Sequence, residues 1–288
     1  MKRTALLSAL FVVFAAGSAR SLMVAPSPLP ERLAHADCVV IGKITEIEKK
    51  TIKAVPYPGG KELAEYHVAV IKVDEALVGA KGLTHVRVGF IAPVAPQPVP
   101  NQPNRPIAPI APRRNFGPNL TVGLDACFLL DPHHDQTFHI VSGFQGVIAK
   151  GKDATEFNKQ MAELRRCAKL LEKPMDGLKS KDANDRFTTA AMLMSRYSTP
   201  APYSRDNKRE TIDAEESKLI LLAIRDGNWN ERRFDQLNPM MTFNRLGAGP
   251  KEGWKPPKDF KQFPTDAKDW LTKNADSFRI QRFVAEKK

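Results

Sequence analysis

The sequence contains little cysteine and none of the short motifs that mark common enzyme families. Three cysteines occur among 288 residues, and no two form a Cys-x-x-Cys arrangement. This spacing excludes a zinc knuckle and a thioredoxin-type redox site. The sequence also has no Gly-x-Ser-x-Gly elbow, His-Glu-x-x-His motif, Walker loop or dinucleotide-binding glycine fingerprint. We therefore assign no catalytic, cofactor-binding or metal-binding residues from motifs, and we expect a protein that is not an enzyme.

Long apolar runs are equally scarce, and the clearest one lies at the N-terminus. Lys2 and Arg3 precede the weakly polar to apolar run 4–17, and small residues follow at 17–19. This pattern is typical of a secretory signal peptide, which has a basic N-terminus, an apolar run and small residues at the cleavage site. The apolar run of about a dozen residues is too short to span a bilayer. We predict a signal peptide over residues 1–19, a periplasmic or extracellular location, and no transmembrane anchor after cleavage.

Acidic residues are outnumbered by basic ones. Lys and Arg total 44 against 32 Asp and Glu, which gives a net charge of +12. Residues 20–150 contain 14 basic and 11 acidic side chains, whereas residues 151–288 contain 28 and 21. The positive excess therefore belongs mostly to the second half. It favours an anionic envelope component or an unknown protein as partner, although a merely solvated basic surface is the simpler interpretation.

The cysteines have different predicted environments. Cys167 lies on the apolar stripe of a predicted helix, where we expect a small core residue. Cys38 and Cys127 lie on predicted strands that could be neighbours. A disulfide between these two cysteines and a pair of free thiols are both compatible with the sequence.

Residues 36–150 have the pattern of a small β-barrel. Within 84–90, Val86, Val88 and Phe90 alternate with polar residues, so these three side chains should point inward. Gly42 interrupts the first β-branched run, as at a bend where a strand curls. Five strands with turn signals between them fit a closed barrel better than a flat sheet with exposed edges. The predicted strands are 37–47, 66–73, 84–90, 124–130 and 137–142, the last two forming a hairpin across 131–136.

Proline marks the two irregular parts of this half. Residues 20–35 form a Pro-containing arm before the barrel. Residues 93–118 hold nine prolines in 26 positions, which prevents a ladder of backbone hydrogen bonds and favours extended polyproline conformations. We predict a long projecting loop here. Its Arg113-Arg114 pair could dock in an aromatic groove, and a loop without any partner is the alternative.

Residues 151–288 change to helical periodicity, and we predict a basic, all-α C-terminal domain. Asp153, Asp213 and Asn238 occupy helix-capping positions ahead of apolar-periodic segments. Pro174 should end the first of these helices. Trp254, Phe260 and Phe263 should hold an irregular segment against the helices. Residues 278–284 are ambiguous between helix and strand.

Three stretches of the first half resemble the netrin-like module of tissue inhibitors of metalloproteinases. Ala36-Asp-Cys-Val-Val-Ile-Gly-Lys-Ile44 is similar to that family's opening strand, and 66–73 with 77–90 is similar to its second and third strands. Residues 120–130 and 138–141 resemble its closing hairpin, including the glycine before the fourth strand. The resemblance covers about 110 residues, and it implies a five-stranded barrel of the OB type.

The sequence departs from that family where inhibition would take place. Inhibitors of the family bind the protease zinc through a mature N-terminal cysteine. Residues 20–37 contain no cysteine, and the dense disulfide set of the family is also missing. The resemblance therefore supports a fold and leaves a metalloproteinase-inhibitor-like function without its key residue.

One histidine cluster could bind a metal ion. His133 and His134 lie between Asp131 and Asp135, and His139 follows. Imidazole and carboxylate groups at a hairpin tip could ligate zinc or copper. Adjacent residues of a turn point apart, however, so a solvated turn is the competing interpretation.

A second polar grouping lies on the predicted barrel wall. His85, Arg87 and His139 could share an outer face if the third and fifth strands meet, which would suit an anionic ligand. Nucleic acid is not an expected partner, because Phe90 and Phe138 are predicted to point inward and leave no stacked aromatics beside Arg87.

These observations predict an α+β protein with an N-terminal five-stranded OB-like, netrin-like β-barrel followed by helices. We expect an exported, non-enzymatic interaction protein of the periplasm or cell envelope. The alternative is a hydrolase or a metal-dependent enzyme whose site is assembled from scattered residues.

Overall fold

The computed structural model describes residues 27–92, 118–143, 145–200, 208–231, 233 and 235–284. The predicted signal peptide and residues 93–117 of the predicted Pro-rich loop lie outside this set. The described strands are β1 (Cys38–Ile47), β2 (Ile52–Ala54), β3 (Ala64–Val78), β4 (His85–Phe90), β5 (Asp125–Pro132), β6 (His139–Val141), β7 (Val147–Ala149), β8 (Arg209–Thr211) and β9 (Gln281–Phe283). The described helices are α1 (Leu29–His35), α2 (Ala154–Glu172), α3 (Pro174–Leu178), α4 (Ala183–Tyr197), α5 (Ala214–Arg225), α6 (Pro239–Asn244) and α7 (Phe263–Asn274).

Five strands close into a barrel. Strand β1 pairs antiparallel with β3 on one side and with β5 on the other. The ring continues from β3 to β4, and β4 pairs in parallel with β6, which returns antiparallel to β5. The closed five-stranded barrel of an α+β protein is therefore confirmed, and it is consistent with an OB-like barrel. Strands β2 and β7 extend the wall by pairing with β3 and β5.

The barrel interior follows the predicted alternation. Val86, Val88 and Phe90 are buried in one cluster with inward residues of β1, β3 and β5. At Gly42 the β1–β3 register shifts, and a Cβ there would lie 2.2 Å from the Lys72 carbonyl oxygen. A glycine is needed at this point because the two backbones approach too closely for a side chain.

Phe138 does not point inward, contrary to the sequence prediction. Its ring lies on the outer face of the barrel, in a cluster with Ala54, Tyr66 and Val68. Gly89 makes this packing feasible, since a Cβ at Gly89 would lie 2.3 Å from Cε2 of Phe138. Residues 66–73 are apolar on both faces, and their outer face carries this second core; alternation alone does not show which of the two faces Phe138 joins.

The helical caps are largely as predicted. The carboxylates of Asp153 and Asp213 accept hydrogen bonds from backbone N–H groups of the first turns of α2 and α5, and the Asn238 side chain does so for α6. Pro174 ends α2 but also starts the short helix α3. The prediction of an all-α C-terminal domain needs correction, because β8 and β9 form a two-stranded antiparallel sheet there.

Helix α1 lies within the segment that the sequence predicts as an arm, and it joins the barrel to the helices. Leu33 of α1, Leu129 of β5 and Leu164 of α2 are buried in one cluster. The outer face of β1 and β5 is thus covered by α1 and α2, so the barrel and the helical part share a continuous apolar core. In the described part of the chain, none of the helices has the length and apolar character that crossing a bilayer requires.

Polar contacts fix α1 in this position. Glu31 of α1 is buried and forms a two-pronged ion pair with Arg245, with nitrogen–oxygen distances of 2.5 and 2.8 Å. His35 Nε2 lies 2.8 Å from the Ser195 hydroxyl of α4. Because two carboxylate oxygens meet two guanidinium nitrogens, the Glu31–Arg245 pair fixes orientation as well as distance.

Substitution of Gly89 tests the outer aromatic cluster. Gly89→Ala should lower the free energy of unfolding by about 1–3 kcal/mol, because the added methyl collides with the Phe138 ring. Gly151→Ala is the matched control, since the nearest non-neighbouring atom to its Cβ is 3.8 Å away, and it should change stability by less than about 0.5 kcal/mol. Urea denaturation measures both values. Equal effects of the two substitutions would show that Phe138 does not pack on Gly89.

Candidate functional site

The histidine pair between β5 and β6 does not form a metal centre. His133 is buried, with its ring centroid 5.4 Å from that of Tyr66 and 4.9 Å from that of Phe138. The exposed His134 stacks on it at 4.5 Å. The His133 Nδ1 accepts a hydrogen bond from the Asp135 backbone N–H at 3.2 Å. Burial, and then the His134 charge, lower the pKa of His133, so its imidazole is a neutral member of the aromatic cluster.

Asp131 and His139 are the remaining members of the predicted cluster. Burial is the main influence on both, raising the pKa of Asp131 and lowering the pKa of His139. A hydrogen bond from Ser142 opposes the shift at Asp131. Among the described residues, no group of three or more His, Cys, Asp or Glu side chains could hold a metal ion. The zinc or copper interpretation of this hairpin therefore has no ligand set in the described part.

The predicted patch of His85, Arg87 and His139 is divided. The third and fifth barrel strands do meet, but His139 is in register with Val88, whose side chain is in the barrel interior. Arg87 points to the outside and forms two hydrogen bonds to the Glu48 carboxylate, at 2.7 and 2.9 Å. Because the Arg87 charge is already paired with a carboxylate, this face is a weak candidate for an anionic ligand.

The cysteines are buried and free. Cys38 and Cys127 lie on neighbouring strands, as predicted, but Cys38 faces the barrel interior while Cys127 faces the helices. A disulfide between them is therefore ruled out by the opposite directions of the two side chains. Cys167 is in the core, as predicted. Burial raises the pKa of Cys38 to about 11 and that of Cys127 to about 12, and it also raises the pKa of Cys167.

The described residues enclose a cleft of about 1020 Å³ that sequence reasoning did not find. It lies between α1, α2, the start of α4 and the chain that follows α5. Phe187 contributes apolar surface, and amide side chains supply both donors and acceptors. The lining residues come from positions between 27 and 237, so no local motif could reveal them. The amide-bearing residues are Gln160, Asn184, Asn228 and Gln236.

Charged side chains of α2 and α4 form ion pairs with one another beside the cleft. Arg166 forms two hydrogen bonds to Glu163, at 2.8 and 3.1 Å, and a further ion pair to Asp185. Its Nη2 also donates to the Thr188 hydroxyl at 3.2 Å. The Arg166 contacts lower the pKa of Glu163, so the carboxylate stays ionised. A carboxylate held in this way is a poor general base, and these contacts fix the positions of the Glu163, Arg166 and Asp185 side chains.

Arg32 is a half-buried cation of the cleft. Its guanidinium donates to the Gln145 carbonyl oxygen, and none of the ion pairs among the described residues includes it. Burial lowers the pKa of Arg32, which shows the cost of removing this charge from water. A half-buried cation without a carboxylate partner favours a ligand that brings a negative charge.

Comparison with known proteins does not place the chain in a family. No protein-family model matches the chain, and no curated protein matches it.

Thiol reactivity tests the description of the cysteines. At about pH 8, where an ordinary thiol with a pKa near 8.5 reacts readily, we expect all three cysteines of the folded protein to resist alkylation. The reason is that each thiol is buried and its pKa is raised. In denaturant all three should react, as counted by mass spectrometry of the intact chain. Rapid modification in the folded state, or a mass showing a disulfide, would contradict the assignment.

Proposed function

We propose that this is an exported, non-enzymatic interaction protein of the periplasm or cell envelope. The composition of residues 1–19 supports export. The charge pairing around Arg166 supports binding over catalysis, because Glu163, Arg166 and Asp185 are each other's partners. The cleft between α1, α2 and α4 is the proposed binding site.

The proposed partner is a protein that inserts an extended segment with a carboxylate into the cleft. The state of Arg32 is the observation that carries this proposal. Arg32 is a half-buried cation, and no carboxylate of the described residues forms an ion pair with it. The four amide side chains of the lining can bond the peptide groups of an extended chain. A volume near 1020 Å³ also exceeds what most small ligands fill, which favours a polypeptide.

We also propose that the barrel is netrin-like. The order of its strands, with β4 parallel to β6, supports this relationship, as does the position of 36–44 in the first strand. The missing cysteine in residues 20–37 separates the protein from metalloproteinase inhibitors. The likeness therefore concerns the scaffold, and the binding role is assigned to the cleft.

Site-specific photo-crosslinking in envelope extract tests the proposed function. A photoreactive amino acid replaces Gln160 or Gln236 in the cleft, or, as a control, Lys53, an exposed residue of β2 that does not line the cleft. Both cleft positions should crosslink the same protein, and the Lys53 position should not. Arg32→Gln should reduce the crosslinked yield at least tenfold, because an interfacial charge pair contributes about 2–5 kcal/mol.

Two further measurements separate loss of binding from loss of folding. Asn184→Trp fills the cleft from its exposed rim and should also abolish crosslinking, without altering the contacts of Arg32. Circular dichroism should show native helix content in both variants. Crosslinking that is equally strong from Lys53, or unchanged in both variants, would contradict the proposal. Turnover of a substrate by the purified protein would instead favour the hydrolase or metal-dependent enzyme.

A further inference from the structure

A second region, formed by residues 251–261, combines an exposed aromatic ring with unpaired positive charge. Phe260 is 67% exposed, although the sequence predicts that it packs against the helices. Four exposed lysines lie in the same short segment. We define the lysine–phenylalanine surface by these residues: Lys251, Lys255, Lys258, Phe260 and Lys261.

The backbone beneath this surface is held firmly. Trp254 is buried, with its ring 4.7 Å from that of Phe243 and 5.5 Å from that of Phe263. The Trp270 indole N–H donates to the Glu252 carbonyl oxygen at 2.8 Å. The anchoring predicted for Trp254 and Phe263 is thus confirmed, and the outward position of Phe260 follows from a fixed backbone.

Among the large hydrophobic side chains of the described residues, Phe260 has the greatest exposed fraction. Its ring touches that of Phe263 on one side, at a centroid distance of 5.7 Å, and presents the rest to solvent. An exposed aromatic side chain forgoes the free energy that burial of its ring would contribute. A partner that covers the ring would recover that energy.

The segment around the Phe260 ring has more lysines than acidic residues, and none of the four lysines forms an ion pair with a described residue. The two acidic residues of the segment are engaged with backbone: Glu252 accepts from the Gly249 N–H, and Asp259 accepts from the Lys261 N–H, both at 2.9 Å. The lysine ammonium groups therefore remain available to an external anion.

We propose that the lysine–phenylalanine surface attaches the protein peripherally to an anionic lipid bilayer. An aromatic ring resides favourably at the boundary between acyl chains and headgroups, while lysines on the same surface approach the lipid phosphates. An acidic polysaccharide would pair with the lysines but would leave Phe260 exposed. A nucleic-acid base could stack on Phe260, but the proposed export separates the protein from nucleic acid. The combination of ring and charge therefore favours a membrane.

Vesicle co-sedimentation tests this attachment. The chain from residue 20 is used, because the apolar run of residues 1–19 would itself bind lipid. It should bind vesicles of phosphatidylglycerol and phosphatidylcholine and dissociate from them at high salt. It should not bind vesicles of phosphatidylcholine alone. Phe260→Ser should raise the half-saturating lipid concentration about tenfold. The double variant Lys258→Gln/Lys261→Gln should raise it about twentyfold.

Matched controls separate this surface from general hydrophobicity and charge. Val122→Ser removes another exposed apolar side chain, and Lys49→Gln/Lys50→Gln removes two exposed lysines elsewhere. Both controls should bind like the unsubstituted chain. In Phe260→Trp, the tryptophan emission should shift to the blue on anionic vesicles, reporting insertion of that position.

Two results would overturn the proposal. The first is binding by Phe260→Ser that equals that of Val122→Ser, which would show that the ring does not enter the bilayer. The second is no binding of the unsubstituted chain to anionic vesicles. The assay contains no protein partner, so either result leaves the cleft proposal untouched.

Discussion

The outer wall of strands β1 and β5 is apolar, and it has to be covered. In a closed barrel, alternate side chains fill the interior, and those between them face outward. Here Val39, Cys127 and Leu129 face outward and are almost completely buried. Helices α1 and α2 cover them, so the barrel and the helical part fold against each other. The position of the cleft follows from this packing, because α1 and α2 form two of its walls.

The described surface offers two regions suited to different partners. The cleft has amide groups, a set of paired charges around Arg166 and a half-buried cation, Arg32, without a carboxylate partner. The lysine–phenylalanine surface has several positive charges and an exposed ring. A protein segment suits the first and a lipid surface suits the second. An envelope protein with both could hold a partner close to a membrane.

Local patterns predicted much of the fold. Alternation in β4 placed Val86 and Val88 correctly, and capping residues such as Asp153 marked helix starts. Both are properties of a few consecutive residues, which is why sequence reasoning could find them. Helix α1 was missed because its two prolines, Pro28 and Pro30, indicate an arm, although proline is well tolerated in a first helical turn.

The parts that were missed depend on distant contacts. Phe138 was assigned to the interior because its outer partner, Gly89, lies on another strand and has no side chain to signal the contact. The cleft joins Arg32 to residues such as Gln236, more than two hundred positions away, and no spacing rule connects them. Phe260 was assigned to the core because its exposure depends on how Trp254 and Phe263 occupy the space beside it.

Calorimetric unfolding tests most directly whether the shared apolar core makes the barrel and the helices one cooperative unit. One cooperative unit should give a single transition whose calorimetric and van't Hoff enthalpies agree. Val88→Ala in the barrel and Leu271→Ala in the helical core should each move that same transition to lower temperature. Two separate transitions, each sensitive to one substitution alone, would show that the barrel and the helices unfold independently.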